Sequence, residues 1–317
     1  MSQPIKIVRV IQSNIAAWFL LLAQEVLKRL PLSWLEIISA GVRRITRLTL
    51  IHYQKVARLN LRLVYGQAKT PVQREDILDG LFANLERMTT EYFLLIRAPT
   101  LPSVLRIELE GEEYLQDALR RKRGVILVSG HLGNFSLLLF FLARRGYPVN
   151  VVAREPRNQT LARYAIRLQK ERKIKSIPVK PRIPSVKMAL ECLRQNEILF
   201  LQLDQRPHRR LGVEIKFFGR PALSFAGPAV LSQRTGAVVL PAFITRLHGY
   251  HHRIVIESPL DLPQEDTPAS LQIMSDVIER QILAHPKEWW WFHRRYPKAI
   301  YSLPPSEAIA PDFPARG

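Results

Sequence analysis

From about residue 104 the chain alternates short apolar runs with longer segments of helical periodicity, and this alternation narrows the possible folds more than any other feature. The runs are 125-VILVS-129, 149-VNVVA-153, 197-EILFLQL-203, 236-GAVVLPAFI-244 and 253-RIVIES-258. Several are apolar without interruption, as strands covered on both faces must be. Between them, 134–145, 158–173, 185–195 and 226–235 read as helices. The pattern predicts an α/β domain over 101–301 with a mostly parallel central sheet flanked by helices. The stretch 174-IKSIPVKPRIPS-185, with three prolines, reads as irregular surface loop.

An N-terminal helical segment, 1–100, precedes this domain. Few Pro or Gly interrupt it, and apolar residues recur at helical spacing. In 73-QREDILDGLFANLERMTTEYF-93, Ile77, Leu81, Leu85, Met88 and Tyr92 fall on one stripe, and 98-APTLP-102 ends the pattern. The Pro-rich tail 302–317 is expected to be disordered. Neither an internal repeat nor a GxxxxGK[ST] or CxxC pattern occurs.

With 317 residues, 47% of them hydrophobic, the chain can bury a sizeable core. The single Cys192 can form no internal disulfide and reads as a small buried apolar residue. The net charge of +20 calls for an anionic partner. Between Ile37 and Arg74 there are eight Lys or Arg and no acidic residue. No finger or aromatic RNA-binding motif accompanies the charge, so nucleic acid is not expected as the partner and an anionic membrane surface is. No run reaches the roughly 20 apolar residues of a bilayer span. The mixed segment 26-VLKRLPLSWLEII-38 has the composition of a helix lying in the membrane interface. Ordinary core helices are the alternative. A secretory signal is another, because Lys6 and Arg9 precede 15-IAAWFLLLA-23, but no small-x-small cleavage site follows.

The chemistry concentrates at the end of the first predicted strand. Ligands of open α/β sheets bind outside the carboxyl ends of the strands, and His131 occupies such an end between Gly130 and Gly133. Asn134 is placed to cap the helix that follows. His248, His251 and His252 surround a predicted hairpin at Gly249 and lack further ligands for a metal site.

The run 130-GHLGNFS-136 resembles the motif block of the lipid A biosynthesis acyltransferases, lauroyl and myristoyl transferases of the lysophospholipid acyltransferase superfamily. So do 203-LDQ-205, 212-GVEIKFFGRPALSFAGPAVLSQRTGAVVLPAF-243 and 286-PKEWWWFHRRYP-297, in matching order. The resemblance implies a membrane-associated O-acyltransferase that needs no cofactor. Its donor is an acyl thioester on acyl carrier protein or coenzyme A, and its acceptor is a hydroxyl of a lipid A precursor or other glycolipid or lysolipid. The place it implies is the cytoplasmic face of the bacterial inner membrane, held peripherally through the N-terminal helices. His131 would take the acceptor's proton, a task suited to a base of near-neutral pKa. Members of that family carry an acid five positions after the His; here that position is Ser136. Two carboxylates past other strand ends can substitute: Glu155, preferred because consecutive strands are often neighbours, and Asp204. A catalytically degenerate lipid-binding relative is the alternative. Asn134, Ser136, Arg154, Arg206, Gly219 and Arg220 are the expected substrate contacts. The 289-WWWFHRRYP-297 segment is expected to pack beside the groove, with His293 structural.

Overall fold

The computed structural model describes residues 22–23, 25–97, 101–154 and 158–302. Most of the apolar run 15–23, the break at 98–100, Glu155 and the tail from 303 onward lie outside those residues. Among the described residues the long helices before the sheet are α1 (Leu32–Thr49), α2 (Ile51–Tyr65) and α3 (Pro71–Arg97). Then follow β1 (Arg106–Glu110), α4 (Glu112–Arg120), β2 (Val125–Ser129), α5 (Phe135–Arg144), β3 (Val149–Ala153), α6 (Gln159–Glu171), β4 (Ile174–Pro178), α7 (Arg182–Arg194) and β5 (Ile198–Gln202). The chain continues through β6 (Gly212–Phe217), β7 (Arg220–Phe225), α8 (Gly227–Thr235), β8 (Val238–His248), β9 (His251–Ile256) and α9 (Thr267–Ala284).

Seven strands form one sheet in the order β1-β9-β8-β2-β5-β3-β4, parallel except for the β8–β9 hairpin. The α/β expectation therefore holds, and the hairpin at Gly249 is present. The loop expected over 174–185 is instead β4, paired with β3, followed by the start of α7. Prolines are tolerated there because Pro178 closes an edge strand and Pro184 lies in the first turn of a helix, where no intrahelical N–H is needed. The β6–β7 hairpin, a separate two-stranded sheet, escaped the sequence pattern. Its turn uses Phe218 and Gly219, both at positive φ.

β2 is buried at all five positions. Its two faces feed two clusters of core side chains. One joins Leu127 and Val125 to the apolar helix α5 through Leu137, Leu138, Phe140 and Leu142. The run 137–143 packs into the core. The other joins Ile126 and Val128 to α2, α3, α9 and Trp289 and Trp291 of the C-terminal segment. The second and third helices thus share the sheet's core. On α3 the predicted stripe holds at Ile77 and Leu81 but fails at Tyr92, which is exposed while Glu91 beside it is buried.

The link between α2 and the C-terminal segment is polar as well as apolar. Asn60, fully buried, donates from Nδ2 to the carbonyls of Trp291 (2.7 Å) and His293 (2.8 Å), and accepts from the Tyr301 hydroxyl at 2.7 Å. Truncation strands three polar groups at once. Asn60→Ala is expected to cost about 2–4 kcal/mol of unfolding free energy, read from chemical denaturation. A loss under about 1 kcal/mol would show that the segment is held by its aromatics alone.

Candidate active site

β2 and β5 are adjacent parallel strands, with Ser129 opposite Gln202. The ladder continues past both ends, Leu203 N–H donating to Ser129 O at 3.0 Å. Two residues beyond each strand the same register brings His131 against Asp204. The Nδ1–Oδ1 distance is 2.8 Å, and the His131 backbone N–H donates to Oδ2 at 2.8 Å. The indole Nε1–H of Trp289 donates to the same Oδ2 at 2.7 Å. Asp204, 2% exposed, accepts three hydrogen bonds and has one orientation open to it.

The other imidazole nitrogen, Nε2, lies 3.1 Å from Nε2 of Gln205. The ring edge meets Phe135 in a T-shaped contact at 5.5 Å, and Phe135 stacks in turn on Phe200. A carboxylate on Nδ1 selects the tautomer with the proton on Nδ1 and leaves the Nε2 lone pair as the base. Burial pulls the His131 pKa down, but the charge and hydrogen bond of Asp204 outweigh it and the net shift is upward from 6.5. Burial pushes the Asp204 carboxyl up, but the charge and hydrogen bonds of His131, with the Trp289 indole, bring it down to about 2.

The turn itself is clamped from two sides. Gly133 N–H donates to Glu288 O (3.1 Å), Trp290 N–H donates to His131 O (3.0 Å), and Leu132 bridges Trp289. Gly133 has φ +56°, and a Cβ there would sit 2.1 Å from Ile244 O, so glycine is required on both counts. On the other side Asn134 caps α5. Its Oδ1 accepts from Leu137 N–H (3.1 Å) and its Nδ2 donates to the buried Glu91 at 2.8 Å. Glu91 also accepts from Arg246 and pairs with Nε2 of His252 at 2.8 Å. Burial pushes the Glu91 carboxyl up, and these partners more than reverse it, so the network holds a carboxylate. His252, one of the hairpin histidines, thereby has a structural place.

Of the residues expected from sequence, the fold brings together His131, Asp204 and Asn134. Ser136 is exposed on the first turn of α5. Arg154 is exposed just past β3. The Arg206 guanidinium donates to Tyr296 O at 2.8 Å, and its N–H donates to His293 Nε2 at 2.9 Å. Burial holds His293 down to about 4, a neutral structural acceptor. Gly219 sits in the β6–β7 turn, and Arg220 donates to Leu63 O at 3.2 Å. Cys192 is buried, its thiol pushed up to about 12 by burial. No cluster of three or more potential metal ligands occurs among the described residues. Sequence reasoning missed Gln205 and the indole of Trp289 as contacts to the pair. The signal for Gln205 was its place directly after Asp204; nothing local marks Trp289.

Comparison with known proteins identifies the family. The family profile described as bacterial lipid A biosynthesis acyltransferase matches residues 5–298. A phosphatidylinositol mannoside acyltransferase of Mycobacterium tuberculosis (strain ATCC 25618 / H37Rv) is 30% identical over 183 residues, a match covering 56% of each chain, so the alignment spans little more than half of that relative. The phosphatidylinositol mannoside acyltransferase of Mycolicibacterium smegmatis is 26% identical over 248 residues, 78% of this chain and 79% of that one. The lipid A biosynthesis palmitoleoyltransferase of Escherichia coli (strain K12) is 24% identical over 283 residues, 88% of this chain and 90% of that one.

If the carboxylate charge sets the state of the ring, its removal has a sign. Only neutral imidazole accepts a proton, so an upward-shifted pKa places the acid limb of the pH–rate profile above 6.5. Asp204→Asn leaves burial unopposed and is expected to move that limb to lower pH. Maximal turnover should fall by roughly 10³–10⁴-fold, as when the orienting carboxylate of a serine-protease triad is lost. A limb that stays in place contradicts the pairing.

Proposed function

The chain belongs to the bacterial lipid A biosynthesis acyltransferase family, and on that premise we propose that it is a membrane-associated O-acyltransferase with His131 as general base and Asp204 as its orienting acid. The observation that carries the reading is the 2.8 Å contact between His131 Nδ1 and a buried, fully hydrogen-bonded carboxylate. It supplies what Ser136 cannot, and it speaks against a degenerate relative.

His131 Nε2 takes the proton of an acceptor hydroxyl as that oxygen bonds to the carbonyl carbon of an acyl thioester. Collapse of the tetrahedral intermediate breaks the C–S bond, and the imidazolium returns its proton to the departing sulfur. The donor is acyl carrier protein or acyl-coenzyme A. Arg154, with the exposed Arg209 and Arg210 past β5, offers cations on the reactive edge to either polyanionic donor. The acceptor is a glycolipid hydroxyl, the class to which the names of the relatives point.

No described helix is long and apolar enough to cross a membrane. The reading is instead of peripheral attachment at the cytoplasmic face of the inner membrane, where thioester donors are found. α1 supports it. Its inner face holds to α3 through buried Leu35, through Ser39, which accepts from Thr90 at 2.9 Å, and through the Arg43–Glu86 and Arg47–Asp79 pairs. Its outer face exposes Trp34, Ile37, Ile45 and Leu48, with Ile51 continuing the stripe into α2. An apolar stripe beside the exposed Arg44 and Lys55 suits an anionic interface, each nearby cation adding about 1 kcal/mol.

Two experiments test this reading. Purified protein is given radiolabelled acyl-coenzyme A or acyl carrier protein with a bacterial glycolipid extract. His131→Ala is expected to lower labelled product by about 10²–10⁴-fold, the usual contribution of a general base; undiminished product rules His131 out. Separately, sedimentation with phosphatidylglycerol-containing vesicles is expected to recover the wild type. Trp34→Asp combined with Ile45→Asp should release most of it, whereas unchanged recovery would place the contact elsewhere.

A further inference from the structure

The base comes with an occupant. Asp204 and Gln205 are consecutive, and they engage opposite nitrogens of one ring: the carboxylate at Nδ1, the amide at Nε2, 2.8 and 3.1 Å away. With the Nδ1 proton committed to Asp204, Nε2 carries a lone pair, so the Gln205 amide is its hydrogen-bond donor. That is the position an acceptor hydroxyl must take to surrender its proton. The remaining approaches are limited. Phe135 lies against the ring, Trp289 backs the carboxylate, and the His131 side chain is 24% exposed.

We propose that Gln205 is a positioning residue that reserves the Nε2 lone pair for the acceptor and so discriminates the acceptor hydroxyl from water. The inference rests on the acyltransferase reading above and deepens it. An incoming hydroxyl has to displace the amide. A glycolipid brings binding energy from the rest of its structure to offset that loss, whereas water brings none. The reaction held back is hydrolysis. Water's oxygen bonds to the thioester carbonyl carbon as one of its protons passes to Nε2. The C–S bond then breaks, and the imidazolium gives its proton to the sulfur, releasing free fatty acid and thiol. An acyltransferase whose base is always ready would spend its donor this way whenever acceptor is scarce.

Gln205→Met keeps the length of the side chain and removes the donor; Gln205→Glu replaces the donor by a second carboxylate facing the ring. The first readout uses diethylpyrocarbonate, which acylates the unprotonated nitrogen of an accessible imidazole, with the His131 peptide followed by mass spectrometry. Loss of one hydrogen bond is expected to speed His131 modification about 5–10-fold in Gln205→Met. Gln205→Glu, which holds the ring protonated, should slow it. The second readout is hydrolysis of palmitoyl-coenzyme A without acceptor, expected to rise by a similar factor in Gln205→Met and to vanish when His131→Ala is added. A gain in His131-dependent hydrolysis cannot come from a damaged fold; because opening the fold would also expose the ring, modification rates are compared only between proteins with the same thermal unfolding midpoint. Equal modification rates in wild type and Gln205→Met overturn the proposal whatever the enzyme's substrate, and so does hydrolysis that falls in Gln205→Met. Faster modification with no His131-dependent turnover of any acyl thioester would leave the amide's place on the ring intact and overturn both the acyltransferase reading and the role in discrimination.

Discussion

The site depends on a parallel register between two strands. β2 and β5 run side by side, Ser129 opposite Gln202, and each ends in a turn at the same level of the sheet. A carboxylate two residues past one strand therefore meets an imidazole two residues past the other. The contact is worth much because the carboxylate is buried. Asp204 is 2% exposed, so its charge is poorly screened, and it cannot remain buried without the donors arranged around it. His131 contributes two of these donors and Trp289 the third. Fold stability and the state of the base are thus coupled through one carboxyl group.

Around that pair the rest of the chain acts as support. The segment 288–290 strings along the far side of the His131 turn, fixing it by backbone hydrogen bonds. Trp291 is buried against Tyr65 and Trp289, so the C-terminal aromatics tie the turn to α2. On the near side, Asn134 links the start of α5 to Glu91 on α3, and Glu91 links to Arg246 on β8 and His252 on β9. The N-terminal helices thereby take part in the site's frame: α3 supplies a buried carboxylate one step from the His131 turn.

Much of this was legible in the sequence. Short, largely apolar runs identify β2, β3, β5, β8 and β9, and the histidine turn stands out by its place at a strand end. The partner of the ring was harder to find. Sequence favours Glu155 over Asp204 because its strand follows β2 in the chain, whereas Asp204 reaches His131 because β5 lies between β2 and β3 in the sheet. Strand order is set by how the crossover helices pack, which no local pattern encodes. Glu155 itself lies outside the described residues. The same limit explains Tyr92: periodicity assigned it to the buried stripe, whereas the polar partners on β8 and β9 draw Glu91 inward instead. β4 was obscured by prolines that are harmless at an edge. The Trp289–Asp204 bond spans 85 positions, far beyond any spacing rule.

If Asp204 holds His131 as the Nδ1–H tautomer and raises its affinity for a proton, nitrogen-15 NMR of ring-labelled histidine, assigned with His131→Gln, reads both properties directly. Expected are a protonated Nδ1 and an unprotonated Nε2 in the neutral ring, with a midpoint above 6.5. A neutral ring protonated at Nε2, or a midpoint at or below that value, would contradict the pairing with Asp204.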